Sequence, residues 1–165
     1  MDTPVSFRLV PFQPRWAASV VGWATTPDEV LAWCSAVEVP VPVARVIAWG
    51  EADDVEAYVL LAGDEPVGYG EVWVDDDEAE TELAHLIVAP DRRGSGVGRA
   101  LTRLLAEQAA VRHPAVFLRV RPGNTPALRC YAAAGFERLS PDDEQTFNAG
   151  QPIAYVWMRQ RDSQR

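Results

Sequence analysis

Leu83–Ala106, LAHLIVAPDRRGSGVGRALTRLLA, limits the possible folds more than any other stretch of this chain. An apolar run, Leu83–Val88, ends at Ala89-Pro90. A short basic loop then brings glycines at alternate positions, Gly94, Gly96 and Gly98. Leu101, Leu104 and Leu105 follow at the spacing of one helical face. Strand, glycine loop and helix start form the layout of an anion site. Backbone N–H groups at a helix N-terminus lack partners, and the helix dipole favours negative charge there. Glycine lets the backbone approach a ligand and adopt positive φ. The segment therefore predicts a phosphate-bearing ligand. A loop that only turns a strand into a helix has the same outline, so a second signal is needed.

Two phosphate-binding classes fail on residue identity. A P-loop needs G-x-x-x-x-G-K-[ST], and this chain contains no lysine. The same absence removes lysine Schiff-base chemistry and pyridoxal phosphate anchoring. A dinucleotide fingerprint needs G-x-G-x-x-G. Counted from Gly94 the last position is Arg99, and from Gly96 it is Leu101. What remains is R-x-x-G-x-G, written here Arg93-Gly94-Ser95-Gly96-Val97-Gly98.

The second signal lies about 25 residues downstream. Phe117–Arg121 is a β-like run, followed by Pro122-Gly123-Asn124-Thr125-Pro126 and an alanine-rich stretch ending Ala134-Gly135-Phe136. Asn124 suits an N-cap, Pro126 the first helical turn and Gly135 the residue after the helix. The pattern N-x-x-A-x-x-x-Y-x-x-x-G-F is met by Asn124, Ala127, Tyr131, Gly135 and Phe136. Together the two motifs resemble the acetyl-CoA loop and the following conserved segment of the GNAT N-acetyltransferase superfamily. The resemblance is sharp from Thr81 to Phe136, architectural before it and weak after Leu139.

Size and composition are compatible with that family. At 165 residues, of which 48% are apolar, the chain is expected to fold as one domain, 1–165, around a packed core. No apolar run reaches the ~18–20 residues of a membrane span. Met1-Asp2-Thr3-Pro4 lacks a basic-then-apolar leader pattern, so a cytoplasmic location is expected. Cys34 and Cys130 are too few and too distant for a disulfide framework or a zinc site, so no metal is expected. A net charge of −9 argues against nucleic acid and anionic membrane as partners. Homodimerisation stays open.

Periodicity and breakers predict the order β-α-α-β-β-β-α-β-α-β-β. Ser6–Val10 reads as a strand, and Arg15–Ala24 and Pro27–Cys34 as helices, with Thr26 capping the second. Pro40 and Pro42 mark a loop. Val55–Leu61 and Val67–Val74 are strands joined by Gly63-Asp64-Glu65-Pro66. Asp75–Glu80 is an acidic tip before strand Glu82–Val88. Helix Val97–Val111, strand Val116–Arg121 and helix Thr125–Ala134 follow, then strands near Phe136–Leu139 and Ile153–Met158. The fold class is α/β, an α+β mixed sheet. The resemblance implies a three-layer GNAT-like fold, a twisted mixed sheet of about seven strands with helices on both faces. It also implies that Glu82–Val88 and Val116–Arg121 splay apart to admit a pantetheine arm.

The resemblance implies transfer of an acetyl group from acetyl-CoA, as co-substrate, to a primary amine of a small molecule or peptide. Its rival is a non-catalytic acyl-CoA-binding regulatory module. Arg93, Gly94, Ser95, Gly96, Val97, Gly98 and Arg99 would cradle the pyrophosphate. Leu86, Ile87 and Val88 would pair through their backbone with the acetyl and pantetheine groups, and Asn124 would flank the pantetheine. Tyr131 stands where the family's acid lies. It is seven residues from Asn124, two helical turns, so both fall on one face; a packed core aromatic is the plainer alternative. Glu82 stands where one branch of the family carries its base, and alternation puts it on the face of Leu86. A solvated strand-start carboxylate is its alternative reading. Another branch places the base where this chain has Arg119. Glu71 is the reserve base. His85, expected on the opposite face, is a further candidate. The tryptophans at 16, 23, 33, 49, 73 and 157 read mostly as core; the resemblance implies that the helical region of Trp16, Trp23 and Trp33 shapes the acceptor pocket, which leaves a pocket role for one of them as the alternative.

Overall fold

The computed structural model describes residues 6–162; Met1-Asp2-Thr3-Pro4 lies outside them. Seven strands form one sheet: β1 (Phe7–Pro11), β2 (Val55–Ala62), β3 (Glu65–Asp75), β4 (Glu80–Val88), β5 (Ala115–Val120), β6 (Phe136–Arg138) and β7 (Val156–Gln160). Their order is β1-β2-β3-β4-β5-β7-β6. All neighbours are antiparallel except β4 and β5, which are parallel. A parallel pair requires a crossover, and α4 (Val97–Arg112) supplies it.

Each face of the sheet carries its own core. On one face Leu101, Leu105, Ala106 and Ala109 of α4 pack on Leu60, Val72, Leu83, Val116 and Leu118, with Leu128 and Tyr131 of α5 (Thr125–Ala133) alongside. Gly70 makes the close approach possible, because a Cβ there would stand 2.5 Å from Leu105 Cδ1. On the other face α1 (Ala17–Val21), α2 (Pro27–Cys34) and α3 (Val43–Glu51) cover Val59, Leu61, Tyr69 and Ile87 with Val20, Val30, Trp33 and Val46. No described helix is long and apolar enough to cross a membrane.

Four points of the expected layout need correction. Arg15–Ala24 is not one helix: a 3₁₀ turn, Pro14–Trp16, leads into α1, which stops before Gly22. Proline fits a first turn, and Gly22 with the loop to Thr26 ends the run. α3 begins directly after Pro42, where a loop alone was expected. Its Val and Ile residues have modest helix propensity, and burial of Val46 against the sheet decides the matter. α6 (Pro141–Asn148) was also missed, although Ser140 accepts from Asp143 N–H, Pro141 opens the helix and Asp142, Asp143 and Glu144 fill its first turn. Phe147 of α6 packs at 4.9 Å from Phe117 and 5.1 Å from Trp157. Strand β7 starts at Val156 rather than Ile153, because Asn148 brackets Tyr155 by bonding both its N–H and its carbonyl. The other elements match to within one or two residues, the usual scatter of element ends.

Candidate active site

The β4–β5 ladder pairs Glu80–Leu83 with Ala115–Leu118 and then stops. Beyond it the strands separate, and a cavity of about 210 Å³ opens between them. Asn124 and Tyr131 line it from α5, Trp33 and Ser35 from α2 and its cap, and Arg119 and Arg121 from β5 and its end. Asn124 caps α5 by accepting from Ala127 N–H at 3.4 Å. The spacing argument therefore holds: one helix face presents both Asn124 and Tyr131 to the gap. Burial, then the Cys130 thiol beside it, pushes the Tyr131 phenol above its ordinary range. The hydroxyl thus stays a proton donor at neutral pH.

At the other end of β4 the chain forms the glycine loop. Gly94 (φ 76°) and Gly96 (φ 87°) occupy left-handed backbone, and a Cβ built on either would meet no atom within 4 Å. Conformation, not crowding, demands glycine here, and the space above the loop is open. Gly96 is the N-cap of α4 and no side chain caps that helix. Its first N–H groups are left for an outside acceptor, which suits a pyrophosphate. Arg99 is exposed on the first turn.

Other residues expected at this loop are used differently. Arg93 is engaged within the protein: Nη1 meets Glu29 at 2.6 Å, Nη2 donates to Trp23 carbonyl at 2.9 Å and Nε to Val88 carbonyl at 3.1 Å. It fixes the loop to α2 rather than reaching outward. The Arg93 hydrogen bond holds the Glu29 carboxyl at about 2, against burial that opposes it. The Ser95 hydroxyl bonds to Arg92 carbonyl inside the loop. Gly98 is a packing residue, since a Cβ there would stand 3.0 Å from Cys130 Sγ of α5. Val97 is buried.

Strand β4 does not alternate as expected. Tyr69 pairs with Ile87 and Glu71 with Ala84, so two steps on β3 match three on β4. The extra residue makes a β-bulge, with His85 at φ 52°. The bulge inverts the faces. Leu86 and Val88 join the α4 core, while His85 turns to the α2–α3 face. Glu82, opposite Trp73, faces that same side. The expectation that Glu82 shares a face with Leu86, and that His85 does not, is therefore reversed.

Glu82 and Arg119 form a two-point ion pair, Nε–Oε1 2.6 Å and Nη2–Oε2 3.0 Å. Arg119 also donates to Gln151 at 2.9 Å and stacks 4.6 Å over Trp157. Arg119 stood in the sequence only as a departure from a family position, and its partner on a neighbouring strand was not readable from spacing. Trp23 and Trp33 are both buried in the core under α1–α3, as read from the sequence, and Trp33 also lines the cavity. Ser35, Trp73, Arg121 and Tyr155 also line the cavity and were missed, because they come from four separate elements. Among the described residues no group of three or more His, Cys, Asp or Glu is arranged to hold a metal.

Residues 15–136 match the family model described as Acetyltransferase (GNAT) family. A mycothiol acetyltransferase of Streptomyces avermitilis is 48% identical over 58 residues, 34% of this chain and 18% of that protein's length. The fold is similar to that of the aminoglycoside acetyltransferase AAC(6')-Ib solved with coenzyme A, with a TM-score of 0.73, 22% identity and coverage of 95% of both chains. It is also similar to a spermidine N-acetyltransferase from Vibrio cholerae solved with CoA and spermine: TM-score 0.68, 14% identity, covering 93% of this chain and 92% of that one.

Proposed function

This chain belongs to the GNAT acetyltransferase family, and from that premise we propose that it moves an acetyl group from acetyl-CoA directly to a primary amine. The carrying observation is the gap between β4 and β5, lined on one wall by Asn124 and Tyr131, together with a smaller cavity of about 90 Å³ lined by Leu86, Val88 and Tyr131 and by Gly98 in the first turn of α4. In this reading the N–H groups around Gly96–Arg99 hold the pyrophosphate, helped by Arg99, and Gly94 supplies the backbone shape. The backbone of Leu86, Ile87 and Val88 orients the pantetheine arm, whose strand-like amides extend the interrupted ladder. Asn124 flanks the same arm.

Transfer raises two proton problems. A lysine-type amine has a pKa of about 10.4 and an α-amine about 7.7–8.0, so the attacking nitrogen must lose a proton. The departing thiolate must gain one, and Tyr131 is the proposed donor. The amine enters from the α2–α3 side, where Trp33, Trp73 and Tyr155 supply aromatic walls. The relatives solved with spermine or named for aminoglycosides make polyamines and aminoglycosides sensible first acceptors in a panel. The test is thiol release from acetyl-CoA across primary amines, amino acids, polyamines, aminoglycosides and peptides. Turnover with at least one amine is expected. Tight acetyl-CoA binding with no turnover across the panel would replace this reading with a ligand-binding regulatory module.

A further inference from the structure

Glu71 is the largest fully buried acidic side chain of the described residues, 0% exposed at the centre of β3. Three groups converge on it: Tyr69 hydroxyl donates at 2.6 Å, Trp73 indole N–H donates at 2.9 Å, and His85 Nδ1 lies at hydrogen-bond distance, 2.9 Å. Burial, then the Glu71 charge, pushes the Tyr69 phenol far above its ordinary range, so it serves Glu71 only as a donor. With a carboxylate as acceptor, Nδ1 of His85 carries the ring proton, and Nε2 keeps a free lone pair. The ring is flanked by Trp49, 4.1 Å away and tilted by 31°, and by the edge of Trp73 at 5.3 Å. Its backbone is set by the bulge, and Trp33 Nε1 fixes the His85 carbonyl at 2.8 Å. The imidazole lines the same cavity as Tyr131. Glu82, by contrast, spends both oxygens on Arg119.

We propose that His85 is the general base for the amine, with Glu71 as the positioning residue that fixes its tautomer and balances its charge. This rests on the acetyl-transfer reading above. A neutral imidazole with a free Nε2 lone pair can accept a proton from an ammonium placed beside it. An arriving ammonium gives one proton to Nε2, which passes it to solvent. The neutral amine attacks the thioester carbon, and the C–N bond forms. As the C–S bond breaks, its electron pair goes to sulfur, which takes the Tyr131 proton. The nitrogen's second proton goes to Nε2 and on to solvent, and solvent reprotonates Tyr131. The net products are the amide, CoA thiol and one proton.

Besides Glu71, the titratable and charged groups around this cavity are Cys34 from α2, Glu82 from β4, Arg119 and Arg121 from β5 and its end, Tyr131 from α5 and Tyr155 just before β7. α3 contributes the uncharged Trp49. The test therefore compares variants at constant fold and follows the wild type by spectroscopy. His85→Asn keeps a residue that tolerates left-handed backbone. It should keep the acetyl-CoA-induced rise in melting temperature yet lose about 10²–10⁴-fold in kcat, together with the acidic limb of the pH–rate profile. Glu71→Gln should lower kcat more than it raises KM, because the ring loses the carboxylate that fixes its tautomer. Glu82→Gln should retain the limb. The chain has two histidines, so ¹⁵N-imidazole spectra, with His113→Gln as the assignment control, read the His85 tautomer without any substrate. The Nδ1-protonated form is expected. An Nε2-protonated neutral ring, or full activity and an intact limb in His85→Asn with their loss in Glu82→Gln, overturns the proposal. Wild type that acetylates nothing sinks the acetyl-transfer reading instead, while the tautomer still reports on the pair.

Discussion

Tyr131 and Gly96 show how narrow the demands of this site are. Tyr131 lies half-buried on α5 with its phenol pushed toward the neutral form, so it holds the proton a thiolate needs. Tyr131→Phe keeps the ring and removes only that proton. If the hydroxyl acts as charge develops on sulfur, kcat should drop by about 10²–10⁴-fold with little change in the Kd for acetyl-CoA. Pre-steady-state thiol release alongside equilibrium binding separates the two, and a loss of only a few-fold would leave Tyr131 as packing. Gly96 caps α4 in left-handed backbone above open space. Gly96→Asp adds strain of roughly 1–2 kcal/mol and sets a negative charge where a pyrophosphate would sit. The protein should stay folded by circular dichroism while calorimetry detects no acetyl-CoA binding. Unchanged affinity would make the loop a simple turn. Gly98 is a different case, because its missing side chain serves the contact of α4 with α5 rather than an open surface.

Among the elements, α2 and the glycine loop are coupled most directly. Arg93 joins Glu29 of α2, the carbonyl of Trp23 and the end of β4. The Glu29 carboxyl is held at about 2, chiefly by the Arg93 hydrogen bond, against about 4.3 in an unfolded chain. A depressed folded value favours the ionised form in the native state. The pair's stabilisation is therefore present above about pH 4.3 and is lost as pH falls toward 2. Urea melts of wild type and Glu29→Gln should converge in stability through that window and differ above it. A constant difference from pH 5 to pH 2 would mean that no proton is linked to this contact. The bulge in β4 has the larger chemical consequence. One extra residue turns His85 toward Glu71 and sends Leu86 to the α4 core.

Taken as a molecule, the sheet carries a separate core on each face, and the core under α4 continues from Leu83 of β4 to Val116 and Leu118 of β5. Acetyl-CoA at a hundredfold excess over its Kd should add about 2.7 kcal/mol of stability. Scanning fluorimetry should register this as a clear rise in Tm, with NADH and ATP giving much smaller shifts; an equal shift with NADH would remove the cofactor assignment. The chain alone carried the order of the strands, the glycine loop after β4, and the shared face of Asn124 and Tyr131. All of these follow from short-range rules: alternation, helical spacing, capping chemistry and the freedom of glycine. α3 escaped because burial of Val46, not local propensity, makes it a helix. α6 has a readable start in Ser140-Pro141, with Ser140 as the N-cap. The face of Glu82 and His85 was not readable, because a single bulge reverses parity for every residue beyond it. The partners of Arg93, Glu82 and Glu71 escaped for a related reason. Each is chosen by which groups the folded sheet sets within hydrogen-bond reach, across separations from two to 70 positions along the chain, and no spacing rule covers that range.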